Sequence, residues 1–199
     1  MKRETMFKGF FRVERITTDE GLVRDVVVST DSVNLLVYDK SRDRVLLVKQ
    51  VRESQVRDDN PEGFITETIA GRFDVDLGVA ALAVKEAKEE AGVNVTEDRI
   101  VILNHGVPMA LSASILAERA YLCYVEVTEE DFEAAERSFG TDAGEHVRRV
   151  WIPVSELKDY VCEDVRDYGL IRMFQGVRFR NSIVDEATKS LMKLRRRRL

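Results

Sequence analysis

The chain alternates short apolar runs with polar breaks, and the spacing of its apolar positions changes along its length. Residues 6–30 hold two runs rich in aromatic and β-branched residues, MFKGFFRVERI and LVRDVVVST, separated by Asp19-Glu20-Gly21. That pattern predicts a β-hairpin. The runs 33–38 and 45–51, joined by the polar DKSRDR, are apolar enough for buried strands. Residues 53–64 read as a polar loop, and 65–70 as a short strand. The period then lengthens. Ala80, Val84, Ala87 and Ala91 recur at helical spacing and predict a helix over 79–91 with one narrow apolar stripe, stopped by Gly92. Strands follow at 100–106 and 117–127, with 107–115 as a loop or edge between them. A short acidic helix is expected at 128–138, a glycine-bearing loop at 139–145 and a strand at 147–152. The chain is helical from Ser155 onward and closes with a helix over about 182–198. Strands, helix, strands, helices, with hairpin connections, describe an α+β fold: an α/β/α sandwich with a mixed sheet behind an N-terminal antiparallel ribbon. The division expected is a β-rich segment over 1–43 and a second domain over 44–199.

Composition narrows the function classes. Of 199 residues, 44% are apolar and 34% charged, the balance of a water-soluble globular chain. The net charge of −5 argues against a general nucleic-acid binder. No apolar run approaches the roughly 20 residues of a membrane span. No apolar segment follows the basic N-terminus as a secretory signal requires, so a cytoplasmic location and no membrane partner are expected. Cys123 and Cys162 are far apart and read as reduced core residues. With only His105 and His146, no zinc pattern is available, and metal chemistry here would use oxygen ligands.

Those ligands are at hand. On the helix over 79–91, Glu86 and Glu90 share one flank of the stripe, Glu89 lies further round the same side, and Lys88 points elsewhere. Three carboxylates crowd the helix C-terminus, where like charges repel and the dipole disfavours anions. Either a hard divalent cation resolves this or the glutamates form a solvated face.

The segment 71–93 resembles the Nudix box, G-x5-E-x7-R-E-U-x-E-E-x-G-U, with U a bulky aliphatic residue. Gly71, Glu86, Glu89, Glu90, Gly92 and Val93 match at their spacing. Ala87 is a small U, Leu77 replaces the first glutamate, and Lys85 replaces the arginine. The resemblance implies that Glu86, Glu89 and Glu90 bind Mg²⁺ (or Mn²⁺), with Glu89 also supporting catalysis. It implies the carbonyl of Ala70 as a further ligand.

Beyond the box, the chain is similar to the family branch that hydrolyses ADP-ribose and other nucleoside diphosphate sugars. The run from Leu46 to Arg52 resembles that branch's strand ending in Q-x-R, and Glu67-Thr68-Ile69-Ala70-Gly71 its E-x-P-A-G. The long gap from Arg52 to Glu67 is closer to the GDP-mannose type. Ser112-Ala113-Ser114 stands where S-P-G is common, six residues before Glu118 counted from Ser112. Arg52, Glu67 and Glu118 are the implied substrate-binding residues. In relatives the ribbon is exchanged across a homodimer, so a homodimer is expected. The branch takes its catalytic acid from a later loop. Glu145 falls on that position as the implied base and an additional metal ligand, with Asp142 as its rival.

The expected activity is Mg²⁺-dependent cleavage of a nucleoside diphosphate sugar into nucleoside monophosphate and sugar phosphate. A non-cleaving nucleotide-sugar sensor and a diphosphatase of damaged nucleoside triphosphates are the alternatives.

Overall fold

The computed structural model describes residues 1–74, 76–133, 139 and 147–196, with side chains through Val184. Two sheets form. The first contains β1 (Lys2–Lys8), β2 (Arg12–Thr17) and β3 (Val23–Val28), antiparallel and in that order. The expected hairpin is therefore a three-stranded ribbon. The first apolar run does not continue as one strand but reverses at Gly9, whose amide donates to the Phe11 carbonyl at 2.9 Å.

The second sheet is built from β4 (Ser32–Asp39), β5 (Arg44–Val51), β6 (Phe64–Glu67), β7 (Ile69–Arg72), β8 (Val101–Ile102), β9 (Met109–Ala110), β10 (Arg119–Val127) and β11 (Arg148–Pro153). Its main path is β11-β5-β4-β10-β8, with β6 on β5, β7 on β4 and β9 on β10. The β4–β10 pair is parallel and the other pairs are antiparallel, so the sheet is mixed. The helices are α1 (Val79–Ala91) and α2 (Val165–Arg196).

β4 is buried almost throughout because a helix covers each face of the sheet. Side chains alternate along a strand, and the two cores sort by that alternation. Val33, Leu35 and Val37 join Leu82, Ala83, Ala87 and Ala91 of α1. Leu36 joins Leu170, Ile171 and Phe174 of α2. β10 divides in the same way, Cys123 and Val125 to the α1 side, Leu122 and Tyr124 to the α2 side. This is the α/β/α sandwich the pattern predicts.

Several boundaries move. β4 is central in the second sheet, and the break between the two sheets lies between Val28 and Ser32. The ribbon stays tied to that sheet, since the Val27 amide donates to the Ile115 carbonyl at 2.8 Å and the Ala117 amide to Val27 at 2.9 Å. The strand expected at 65–70 is two strands, β6 and β7, broken at Thr68. The strand expected at 100–106 keeps two residues, then turns through a 3₁₀ segment at Asn104–Gly106.

The acidic helix begins only as a 3₁₀ turn, Glu129–Asp131, capped by reciprocal bonds between Thr128 and Asp131. Its chain is then drawn to the end of α1, where the Glu133 amide donates to the Gly92 carbonyl at 2.9 Å. Residues 134–138 fall outside the described residues. The two C-terminal helices are one, and it starts at Val165 rather than Ser155. Asp164 fixes that start by accepting from the Arg166 amide at 2.7 Å.

Candidate active site

Local sequence sets one wall of a cleft of about 520 Å³. α1 takes the expected bounds and ends at Gly92, whose φ of +55° is a left-handed conformation suited to glycine. The Gly92 amide donates to Lys88 and the Val93 amide to Ala87, both at 2.9 Å. The apolar stripe is broader than predicted. Leu82 and Ala83 are fully buried, while Ala80 and Val84 pack at its margin. This rotation turns Glu86 toward the sheet, where it is 9% exposed.

Gly71 is the surface that Glu86 rests on. A Cβ there would lie 2.3 Å from Glu86 Cγ and 2.5 Å from its carboxylate oxygen Oε1, so only glycine lets β7 and the carboxylate approach this closely. Beside it, the Ala70 amide donates to Glu90 Oε2 at 3.2 Å. Lys85 donates to Glu89 Oε2 at 2.6 Å and Glu86 Oε1 at 3.1 Å.

Burial dominates the electrostatics of these acids. It raises the Glu86 carboxyl above its ordinary range against the pull of Lys85. It pushes Glu90 up to about 8, with the Ala70 amide opposing and Glu86 adding to the shift. Burial also disfavours the Lys85 ammonium, but the bonds to Glu89 and Glu86 outweigh it and raise that group.

A second wall is assembled from distant stretches. Arg52, where β5 ends, donates through Nε to Glu67 Oε1 at 2.7 Å. Gln50 donates to the same oxygen at 2.9 Å, and Arg166 of α2 approaches Glu67 Oε2 at 3.6 Å. Thr68, at the β6–β7 break, donates its amide and hydroxyl to Asp167 Oδ1 at 2.9 and 2.7 Å. The first turn of α2 is thereby fastened next to the site. Burial pushes Asp167 up to about 6, the Thr68 bonds only partly offsetting it. On a third side, Glu118 accepts from Ser32 Oγ at 2.8 Å. Phe10 and Phe11, at the ribbon's reversal, flank the Arg72 guanidinium at 4.5 and 5.8 Å.

Of the residues expected from sequence, Arg52, Ala70, Glu86, Glu89, Glu90 and Glu118 line this one cleft. Glu67 does not; only 2% exposed, it stands behind the wall and holds its arginines. Glu145, Asp142 and His146 lie outside the described residues. His105 is exposed in the turn after β8, away from the cleft. Arg166, Arg72, Phe10 and Phe11 line the cleft without having been anticipated. Arg72 had a usable signal, as the residue directly after the box glycine. Arg166 had none, being one cation in a charged C-terminal third.

The sequence matches the NUDIX domain over residues 28–172. The chain belongs to the Nudix family. It is 25% identical over 181 residues to the ADP-ribose pyrophosphatase of Haemophilus influenzae, covering 84% of this chain and 79% of that one. It is 29% identical over 103 residues to the GDP-mannose pyrophosphatase of Yersinia enterocolitica, covering 48% of this chain and 53% of that one. A solved structure described as an ADP compounds hydrolase superposes with a TM-score of 0.63 over 88% of this chain and 91% of that one. At 16% identity it shows a shared fold.

The Nudix box departures have a structural counterpart. Leu77, exposed just before α1, has no carboxylate to offer position 85. Lys85 turns to the helix's own glutamates instead. The donor set suits a hard divalent cation: three glutamates and the Ala70 carbonyl, all oxygen. Among the described residues, no three acidic, histidine or cysteine side chains are arranged so that they could hold a metal ion. Glu90 instead bonds the Ala70 amide, and Lys85 lies against Glu86 and Glu89.

Proposed function

We propose that this Nudix protein is a Mg²⁺-dependent hydrolase of nucleoside diphosphate sugars of the ADP-ribose or GDP-mannose type. The observation carrying this reading is a single cleft lined by Glu86, Glu89 and Glu90 of one helix turn together with Arg52 and Arg166. The pyrophosphatases named among its relatives support it.

A diphosphate needs both walls. The Arg52 guanidinium binds and orients its oxygens by charge-assisted hydrogen bonds. Glu86, Glu90 and the Ala70 carbonyl would hold the metal, with Glu89 and Glu145 assisting. Bound there, Mg²⁺, or Mn²⁺ in its place, supplies charge neutralisation to the diphosphate and acidifies the attacking water. Glu145 takes the proton of that water. The water oxygen forms a new bond to one phosphorus as the bridging P–O bond breaks, yielding nucleoside monophosphate and sugar phosphate. Phe10, Phe11 and Arg72 offer flat, cationic and aromatic faces at the rim that suit a nucleobase. Glu118, braced by Ser32, faces the sugar or base.

A sensor that binds without cleaving has one observation in its favour, the seating of Lys85 on Glu86 and Glu89. Release of monophosphate from ADP-ribose, GDP-mannose and a nucleoside triphosphate panel, with and without Mg²⁺, separates the readings. Metal-dependent turnover of a nucleotide sugar is expected. Turnover of triphosphates alone, or of nothing, would defeat the proposal.

The same reading includes a homodimer joined through the ribbon, whose Phe7 and Phe10 are 60% and 79% exposed. Light scattering at micromolar concentration tests it, and a monomer would exclude it. The two unbridged cysteines suit a reducing compartment such as the cytoplasm.

A further inference from the structure

Arg166 is held where a substrate anion would meet it, by contacts that reach across the whole fold. It sits in the first turn of α2, beside Asp167, which the Thr68 amide and hydroxyl bind from 99 residues away. Asp164 accepts from Arg166 Nε and Nη2 at 2.9 and 2.7 Å, a two-point grip that fixes the guanidinium plane. Nη2 also faces Glu67 Oε2 at 3.6 Å. Nη1 makes no hydrogen bond among the described residues. The side chain is 21% exposed, and it lines the cleft that holds the α1 glutamates.

Arg52 mirrors this arrangement. Its Nε is committed to Glu67 Oε1, its two Nη atoms bond no described residue, and its side chain is 39% exposed. Glu67 thus lies between two guanidinium groups, one on each oxygen, which offsets their mutual repulsion. Its burial at 2% exposure denies it to solvent and makes the pairing rigid.

A role limited to capping α2 explains only part of this. Capping uses Asp164, whose carboxylate already takes the Arg166 amide. It does not require a guanidinium in the cleft, nor a second acid shared with Arg52. Two preoriented cations with unused N–H groups on one side of an acidic cleft form a fork for an anion with several oxygens.

We propose that Arg166 is a substrate-binding residue that works with Arg52 on the diphosphate of the nucleotide, with Glu67 as the positioning residue for both. This rests on the functional reading above for the identity of the anion. It adds a binding residue that the box and its flanking motifs do not contain.

The test measures binding of α,β-methylene-ADP, a non-hydrolysable diphosphate, by calorimetry in the presence of Mg²⁺, alongside hydrolysis of ADP-ribose and GDP-mannose. Losing a charge-assisted contact corresponds to about 10-fold or more in affinity. Arg166→Gln should weaken binding by that factor. Arg166→Lys, which keeps a cation without the fork, should weaken it less. Arg172→Gln, on the same helix with its guanidinium on Gln175, should bind like the unaltered protein. Should Arg166→Gln fail to fold, Arg166→Lys carries the test, with a loss of about threefold or more expected.

The proposal is overturned if the Arg166 variants bind within about twofold of the unaltered protein. It is also overturned if they lower only the unfolding temperature, or if Arg172→Gln loses as much affinity. An unaltered protein that binds the analogue but hydrolyses neither nucleotide sugar would defeat the reaction, while Arg166 would still be judged by the binding ratio. Hydrolysis with unchanged binding in Arg166→Gln would defeat only the role given to Arg166.

Discussion

The two walls of the cleft are built by different means. The acidic wall comes from one turn of α1, where helical geometry alone carries Glu86, Glu89 and Glu90 to one side. The basic wall comes from the end of β5 and the first turn of α2, joined at the cleft by contacts of Glu67 and Thr68. The acidic wall holds carboxyls that burial drives toward neutrality. The basic wall holds cations whose charge is supported by buried acids. Burial lowers Arg166, but Asp164 and Glu67 outweigh it and raise it above its ordinary value. One wall thus gathers acids and the other gathers cations within the same cleft.

Removing one acid should have the largest effect. Glu90→Gln is expected to abolish Mg²⁺-dependent turnover, because it removes a ligand charge from the acidic wall. Its fold should survive, since burial already favours an uncharged side chain there. Full activity in this variant would end the assignment of that wall to metal binding.

Next comes Glu145, which lies outside the described residues. Glu145→Gln should lower kcat by about 10²–10⁴-fold and change KM little, as loss of a general base does. Asp142→Asn should do far less. The reverse order would pass the role to Asp142, and two fully active variants would leave the two walls without a base from this loop.

The basic wall is tested through its buried acid. Glu67→Gln leaves Arg52 and Arg166 facing each other without their shared charge. Breaking a buried ion pair typically costs about 3–5 kcal/mol, measurable by urea unfolding. KM should also rise as the two guanidinium groups lose their alignment. A variant as stable as its parent would mean that the basic wall is held by Asp164 and Asp167 alone.

The smallest effect is on pH dependence. Glu90 is raised from an ordinary 4.5 to about 8 in the folded protein. Its contribution to stability is complete below the unfolded value and is lost as pH rises through the folded one. The metal-free protein should melt at lower temperature at pH 8 than at pH 6. Cation affinity should change in the opposite sense, rising by at most about tenfold per pH unit as one proton is displaced. Mn²⁺ titration followed by electron spin resonance measures this. Affinity that does not change between pH 6 and 8 would exclude Glu90 as the displaced acid.

The difference between the walls also explains what could be read in advance. α1 was legible to its last residue, because period, small side chains and the Gly92 stop all act within one short segment. Even so, its orientation was not. Leu82 and Ala83 are as fully buried as the stripe residues Ala87 and Ala91, and Glu86 turns inward against Gly71. Which stripe faces the core depends on the sheet beneath it. The strands of the central sheet were legible as apolar runs. Their order was not, since the parallel pairing of β4 with β10 joins segments more distant than any turn can specify. The split at Thr68 was hidden as well, because its cause is an aspartate on α2.

By itself, the sequence determined the box helix, its carboxylates and the α/β/α character of the fold. These follow from local periodicity and from residue types, which act over a few positions. Only the tertiary structure decided that Arg166 stands beside Arg52, that Glu67 lies behind both, and that Phe10, Phe11 and Arg72 frame the rim. Those relations depend on chain crossovers and on buried hydrogen bonds between distant segments. The spacing of residues along the chain carries no record of such contacts.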